Sequence, residues 1–136
     1  MAYWILKTEP STYSFDDLLK DGKVVWDGVR NPQALINIRS MKKGDLVFIY
    51  HSGDGKCIVG IAEIATGPYQ DPKLEESKLV VVDLIPKRKT SKTVTLAEIK
   101  ANPKLTELKL VRQSRLSVVP VPATMWTELL KMAGEK

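Results

Sequence analysis

The chain has 136 residues, 43% of them apolar and 27% charged, and carries a net charge of +5. Such a length predicts one domain that buries roughly two thirds of its unfolded surface, and no apolar run approaches a membrane span. A single cysteine, Cys57, excludes an intrachain disulfide, and a single histidine, His51, makes no credible metal site. The mild basicity permits a polyanionic partner without requiring one.

Residues 3–7 are rich in aromatic and branched side chains and predict a strand, stopped by Pro10. The apolar start is too short for a signal-peptide core and is closed by Lys7, Glu9 and Pro10. An intracellular, cytoplasmic protein is therefore expected, near the nucleoid in a bacterium or in the nucleus of a eukaryote. Ser14 and Asp17 have the spacing of a capping box and Gly22 supplies a stop, so a short helix is predicted between them. Residues 24–26 read as a brief strand.

Next comes Trp26-Asp27-Gly28-Val29-Arg30-Asn31, which gathers an aromatic face, a carboxylate, a bend, a guanidinium and a carboxamide in one short loop. That set suits a planar heterocycle. Trp26 stacks on its face, Asp27 and Asn31 address its polar edge, and Arg30 takes a phosphate or stacks in turn. The plainer alternative makes Trp26 a core residue, Asp27-Gly28 a turn and Asn31 a helix cap. Asn31 and Pro32 suit the N-cap and first position of a helix running to about Met41.

Residues 45–50 and 57–64 predict two strands joined by the turn His51-Ser52-Gly53-Asp54-Gly55-Lys56, hence a hairpin. Residues 79–85 predict a further strand ended by Pro86. The basic run Lys87-Arg88-Lys89-Thr90-Ser91-Lys92 then reads as a loop, either a phosphate rail or a solvated surface. Thr95 and Glu98 repeat the capping-box spacing and start a helix that stops near Asn102-Pro103. Arg112-Gln113-Ser114-Arg115-Leu116-Ser117 offers two cations and small polar groups for phosphate contact, or merely Arg stems covering the core. Residues 116–121 predict an edge strand because of Pro120, and Trp126 to Met132 fall on a C-terminal helix. Short strands and helices without regular βαβ alternation predict an α+β fold with a curled, barrel-like sheet.

Few constellations carry chemistry. Period two puts Lys7 and Glu9 on one side of the first strand, as an acid–base pair or as a surface ion pair. His51 fits hydrogen bonding with Ser52 at the hairpin turn better than catalysis. Gly53-Asp54-Gly55-Lys56 lacks the spacing of a phosphate-binding loop.

An ordered set of segments resembles the EVE-domain family of the PUA-like superfamily. They are Tyr3-Trp4-Ile5-Leu6-Lys7-Thr8-Glu9-Pro10, Tyr13-Ser14, the 26–31 loop with Gln33-Ala34, Met41-Lys42 with Gly44-Asp45, and Tyr50-His51-Ser52. Ile58-Val59-Gly60-Ile61-Ala62-Glu63 and Leu110-Val111-Arg112 with Arg115-Leu116-Ser117-Val118 follow. The resemblance implies a PUA-like curled sheet flanked by helices. It also implies a pocket at the 26–31 loop for a modified base, notably a modified cytosine in DNA or a modified base in RNA. Two departures stand out. Leu35-Ile36 replaces the usual Arg-Asn after Gln33-Ala34, and Pro122 stands where a capping residue is usual before the last helix.

Together these readings predict a non-catalytic reader of a modified nucleobase, with no cofactor, no metal and no membrane partner. The base, flipped or already unpaired, would enter a pocket of Trp26, Asp27, Val29 and Asn31 with Lys7, Glu9, Tyr13, Ser14, Tyr50, His51 and Ser52. Arg30, Lys87, Arg88, Lys89, Arg112 and Arg115 would touch phosphates. The rivals are a small amidohydrolase using Lys7 and Glu9 on a modified nucleoside, and a protein-interaction module.

Overall fold

A computed structural model describes residues 1–53, 55–71 and 79–135. In chain order, β1 is Tyr3–Thr8, α1 Phe15–Asp21, β2 Val24–Trp26, α2 Pro32–Arg39, β3 Leu46–His51 and β4 Cys57–Gln70. There follow β5 Val80–Thr95, α3 Leu96–Ala101, a 3₁₀ turn Pro103–Leu105, α4 Lys109–Arg112, β6 Val118–Pro120 and α5 Ala123–Met132. The strands form one six-stranded sheet in the order β2-β5-β4-β3-β1-β6. Among the described residues only the β1–β3 pair, one place from the sheet's middle, is parallel. The sheet curls into a half-barrel with the short helices around it, the PUA-like α+β architecture.

Local signals explain most boundaries. The Ser14 hydroxyl accepts from the Asp17 N–H at 3.1 Å while Asp17 accepts from the Ser14 N–H at 2.8 Å. Thr95 and Glu98 repeat this box at α3. Asn31 caps α2 by accepting from the Ala34 N–H at 3.0 Å, and Pro32 opens the helix. The helix ends at Arg39, two residues short of the expected Met41. The hairpin of β3 and β4 forms as expected, although Asp54 of its turn lies outside the described residues. Cys57 is a free, half-buried thiol.

Two strands run well beyond their expected ends. Pro86 does not stop β5, and the basic run 87–92 lies on that strand rather than in a loop. Pro86 sits opposite Ala62, where the β4–β5 register shifts between Ile61 and Ala62. The extra residue of that bulge is Lys87 of β5, next to Pro86, and on the other side β2 pairs only with Val82, Asp83 and Leu84, so the proline sits at an irregularity beside an open edge. Further register shifts carry β4 past Gly67-Pro68 to Gln70.

The core is continuous across the sheet. The Trp126 ring of α5 stacks between Phe48 of β3 at 4.0 Å and Tyr3 of β1 at 4.7 Å. Phe15, the first residue of α1, lies flat over Gly60 of β4, where any Cβ would collide with its ring. Buried Asp45 ties the amino terminus to the sheet, accepting from the Trp4 indole N–H at 3.0 Å, the Ala2 N–H at 3.1 Å and the Lys42 N–H at 2.9 Å. Buried Asn37 of α2 donates to the Val118 carbonyl at 2.8 Å and fixes that helix on β6. The expected edge position of β6 holds. The 26–31 loop is thus fixed at both ends, α2 ahead by Asn37 and β2 behind by its antiparallel pairing with β5.

Candidate functional site

The 26–31 loop runs from an edge strand into a helix N-terminus, and a cleft of about 520 Å³ opens beside it. Trp26, Asp27, Gly28, Val29 and Arg30 form one wall. The end of β1 and the following turn supply the other with Lys7, Thr8, Glu9, Thr12 and Tyr13, and Ser117 closes a corner. The left-handed backbone of Gly28, at φ +78°, makes the bend that sets Val29 and Arg30 back toward the cleft. Trp26 is half-buried, packed on the core with the rest of its surface in the cleft. The Tyr13 ring meets it edge to face at 6.4 Å and 79°, giving two aromatic surfaces at a right angle. The Tyr13 hydroxyl donates to Asp21 at 2.8 Å, and burial together with that carboxylate pushes its pKa well above the usual phenol range.

Lys7 and Glu9 share the cleft but not a bond. The Lys7 ammonium donates to the Ser114 carbonyl at 2.8 Å and lies 5.8 Å from the Tyr50 ring centre, and burial lowers its pKa. Glu9 accepts from the Ser11 N–H at 3.3 Å and hydroxyl at 3.2 Å. Among the described residues no ion pair joins the two, so the expected pair is a shared lining rather than a contact. Glu9 and Asp27 supply acceptors, and Lys7 and Arg30 supply donors, around one aromatic wall.

Other expected pocket residues fall elsewhere. Asn31 spends its carbonyl oxygen on the α2 cap and lines a second groove of about 380 Å³ with Gln33, Arg112, Gln113, Ser114, Arg115 and Leu116. Ser14 is occupied by its capping box. Tyr50 is buried beneath Lys7. Ser52 donates its backbone N–H to the Thr8 carbonyl at 2.9 Å. His51 does not bond Ser52 as expected. Its Nε2 accepts from the Phe15 N–H at 3.0 Å beside a separate small cavity. Burial lowers the His51 pKa against the opposing pull of Asp16 and Glu9.

The basic run is likewise engaged. Lys87 pairs with Glu63 at 3.0 Å, Arg88 with Glu135 at 2.7 Å and Lys89 with Asp16 at 2.7 Å. None of them lines the cleft. Arg112 pairs with Glu107 at 2.8 Å, both exposed. Val24, Val25 and Thr12 line the cleft without having been singled out, since nothing in a strand's alternation or a loop's composition tells which face a ligand would meet. Of the two departures, Leu35 is buried on the inner face of α2 and Ile36 is exposed, while Pro122 precedes α5 with no side-chain cap bond.

The family model for the EVE domain matches residues 2–132. A Rhodopseudomonas palustris protein solved by NMR is 44% identical with a TM-score of 0.94, over 98% of this chain and 94% of that one. Mouse thymocyte nuclear protein 1 is 31% identical over 88% of this chain and 68% of its own length. A crystal structure of human THYN1 protein in complex with 5-methylcytosine containing DNA is 26% identical. Its TM-score is 0.91, over 100% of this chain and 99% of that one.

Proposed function

The chain belongs to the EVE-domain family, and on that premise we propose that it is a non-catalytic reader that takes a modified nucleobase, foremost a 5-methylcytosine-type base in DNA, into the Trp26 cleft. One observation carries the reading. The single cleft wall built by the 26–31 loop combines a stacking aromatic with hydrogen-bond groups of both senses. The human relative that shares this chain's fold over its whole length was solved with methylated-cytosine DNA, which supports the same ligand class here.

In this reading the base leaves its stack, at a cost of a few kcal/mol, and lies against Trp26 with Tyr13 at its edge. Asp27 or Glu9 accepts from an exocyclic amine, and Lys7 donates to a ring carbonyl or nitrogen. A methyl group on the ring fits the apolar part of the wall, Val24, Val25 and Val29. Arg30 at the rim meets the phosphate of the same nucleotide. The cleft, at about 520 Å³, has the size of a small-ligand site and leaves room for the sugar.

The test is saturable binding of 5-methyl-2′-deoxycytidine and 2′-deoxycytidine, alone and within matched oligonucleotides, with the products analysed. Binding that favours the methylated form, with the nucleoside recovered intact, supports the reader. Conversion of a modified nucleoside would instead support the amidohydrolase, with Lys7 and Glu9 as the groups to replace.

A further inference from the structure

Resting on the reader assignment, we propose that the groove beyond Lys7 is a second nucleic-acid subsite, a seat for the phosphodiester next to the bound nucleotide, with Arg115 as its principal cation. The groove holds about 380 Å³ and is lined by Asn31, Gln33, Gln113 and Ser114 together with Arg112 and Arg115. Among the described residues no carboxylate lines it, whereas the base cleft contains Glu9 and Asp27. The two hollows adjoin. Arg30 lines the cleft and the next residue, Asn31, lines the groove. Lys7 of the cleft donates to the carbonyl of Ser114 in the groove at 2.8 Å.

The arginines divide sharply by partner. Arg88 and Arg112 are held by carboxylates. Arg30 and Arg115 carry no hydrogen bond or ion pair among the described residues, and one borders the cleft while the other borders the groove. An uncompensated guanidinium next to amide and hydroxyl groups, with no acid among the described lining residues, matches a planar fork to phosphate oxygens. Arg112 can join it, because its exposed bond to Glu107 is weak competition for a phosphate. Lys7, at the junction, then stands between the base seat and the phosphate seat. The chemistry recognised is a phosphodiester, which carries no base information, so the groove raises affinity for a strand without changing which base is preferred.

The experiment compares Arg115→Gln with Trp26→Ala. Each is measured against free 5-methyl-2′-deoxycytidine and against a short oligonucleotide containing one 5-methylcytosine, across a salt series. Arg115 is exposed and caps no helix, so its replacement leaves the fold intact. The expected result for Arg115→Gln is wild-type affinity for the nucleoside and about tenfold weaker binding of the oligonucleotide. The slope of log affinity against log salt should flatten by about 1. The ratio of methylated to unmethylated affinity should stay at its wild-type value. Trp26→Ala should weaken both ligands with the slope unchanged. Wild-type oligonucleotide affinity and slope in Arg115→Gln, with Trp26→Ala still defective, would overturn the subsite and leave the reader standing. Oligonucleotide binding that neither substitution changes would overturn both.

Discussion

At the scale of single residues the account turns on Trp26 and Asp27. Trp26 is only half-buried, and its inner part packs on the core, so Trp26→Ala removes a cleft wall without emptying the centre of the protein. Its expected effect is a loss of about 1–3 kcal/mol in oligonucleotide affinity with cooperative unfolding retained. A thermal melt and a binding isotherm on the same sample check this. Collapse of the melt with no ligand ever found would make Trp26 a core residue. Asp27→Asn keeps the size and replaces an acceptor with a mixed donor and acceptor. An Asp27 that accepts from a base amine should change the ranking among modified and unmodified nucleosides, not merely lower all affinities. An unchanged ranking removes Asp27 from base recognition. The 26–31 loop stood out in the sequence because five chemically different groups stand in six residues, and the structure places five of those residues, 26–30, along a cleft. Asn31 was legible twice over, as an edge contact and as a cap, and its oxygen is committed to the cap.

At the scale of elements, α1 matters because Tyr13 and Phe15 bind its first turn to the cleft on one side and to β4 on the other. Phe15 rests on Gly60, so Gly60→Ala forces the ring to move. A destabilisation of about 1–3 kcal/mol is expected, read as a lower Tm in a calorimetric scan. The same turn is tied by its Phe15 N–H to neutral His51. The folded pKa of His51 lies below its ordinary 6.5, so the unfolded chain binds the extra proton more readily. The stabilising contribution is therefore complete above about pH 6.5 and is lost as pH falls from there through the folded value. His51→Gln, which keeps an acceptor, should abolish this dependence between about pH 7 and pH 5 while leaving the acid limb set by carboxylates such as Glu135. Equal slopes in both proteins would contradict the bond. Element boundaries were readable wherever a local signal existed, at the boxes of Ser14 with Asp17 and Thr95 with Glu98, and at Asn31-Pro32. They were not readable at Pro86, because a proline stops a strand only where its N–H would be used, and the bulge at Lys87 beside it arises only when β5 pairs with β4. The turn at Pro103–Leu105 and the four-residue α4 were also invisible, being too short to show a period.

At the scale of the whole molecule, the basic run serves the fold. Glu135, just beyond α5, accepts from the Arg88 guanidinium and from the Ser91 N–H at 2.9 Å and hydroxyl at 2.8 Å. These bonds hold its carboxyl below the usual range and latch the last helix to β5. Trp26 pairs with Val82, and Arg88 lies six residues farther along β5, about 20 Å of strand. Replacing Lys87, Arg88 and Lys89 together with Ala should therefore lower stability slightly and leave the salt slope of oligonucleotide binding intact. A slope flattened by about 2–3 would put these cations on phosphates after all. The curled sheet could be expected from strand number and spacing, but the parallel β1–β3 pairing within it could not, since it depends on which strands meet after the hairpin closes. The central claim is that the base stacks on Trp26, and the three indole N–H resonances report on it directly. Trp4 is bonded to Asp45 and Trp126 is sealed in the core, so of the three only Trp26 lines the proposed base cleft. Titrating ¹⁵N-labelled protein with an oligonucleotide containing one 5-methylcytosine should shift the Trp26 indole strongly, its unmethylated counterpart should shift it less, and the Trp4 and Trp126 signals should hold still. Tight binding of the methylated strand with the Trp26 indole unmoved would contradict the account.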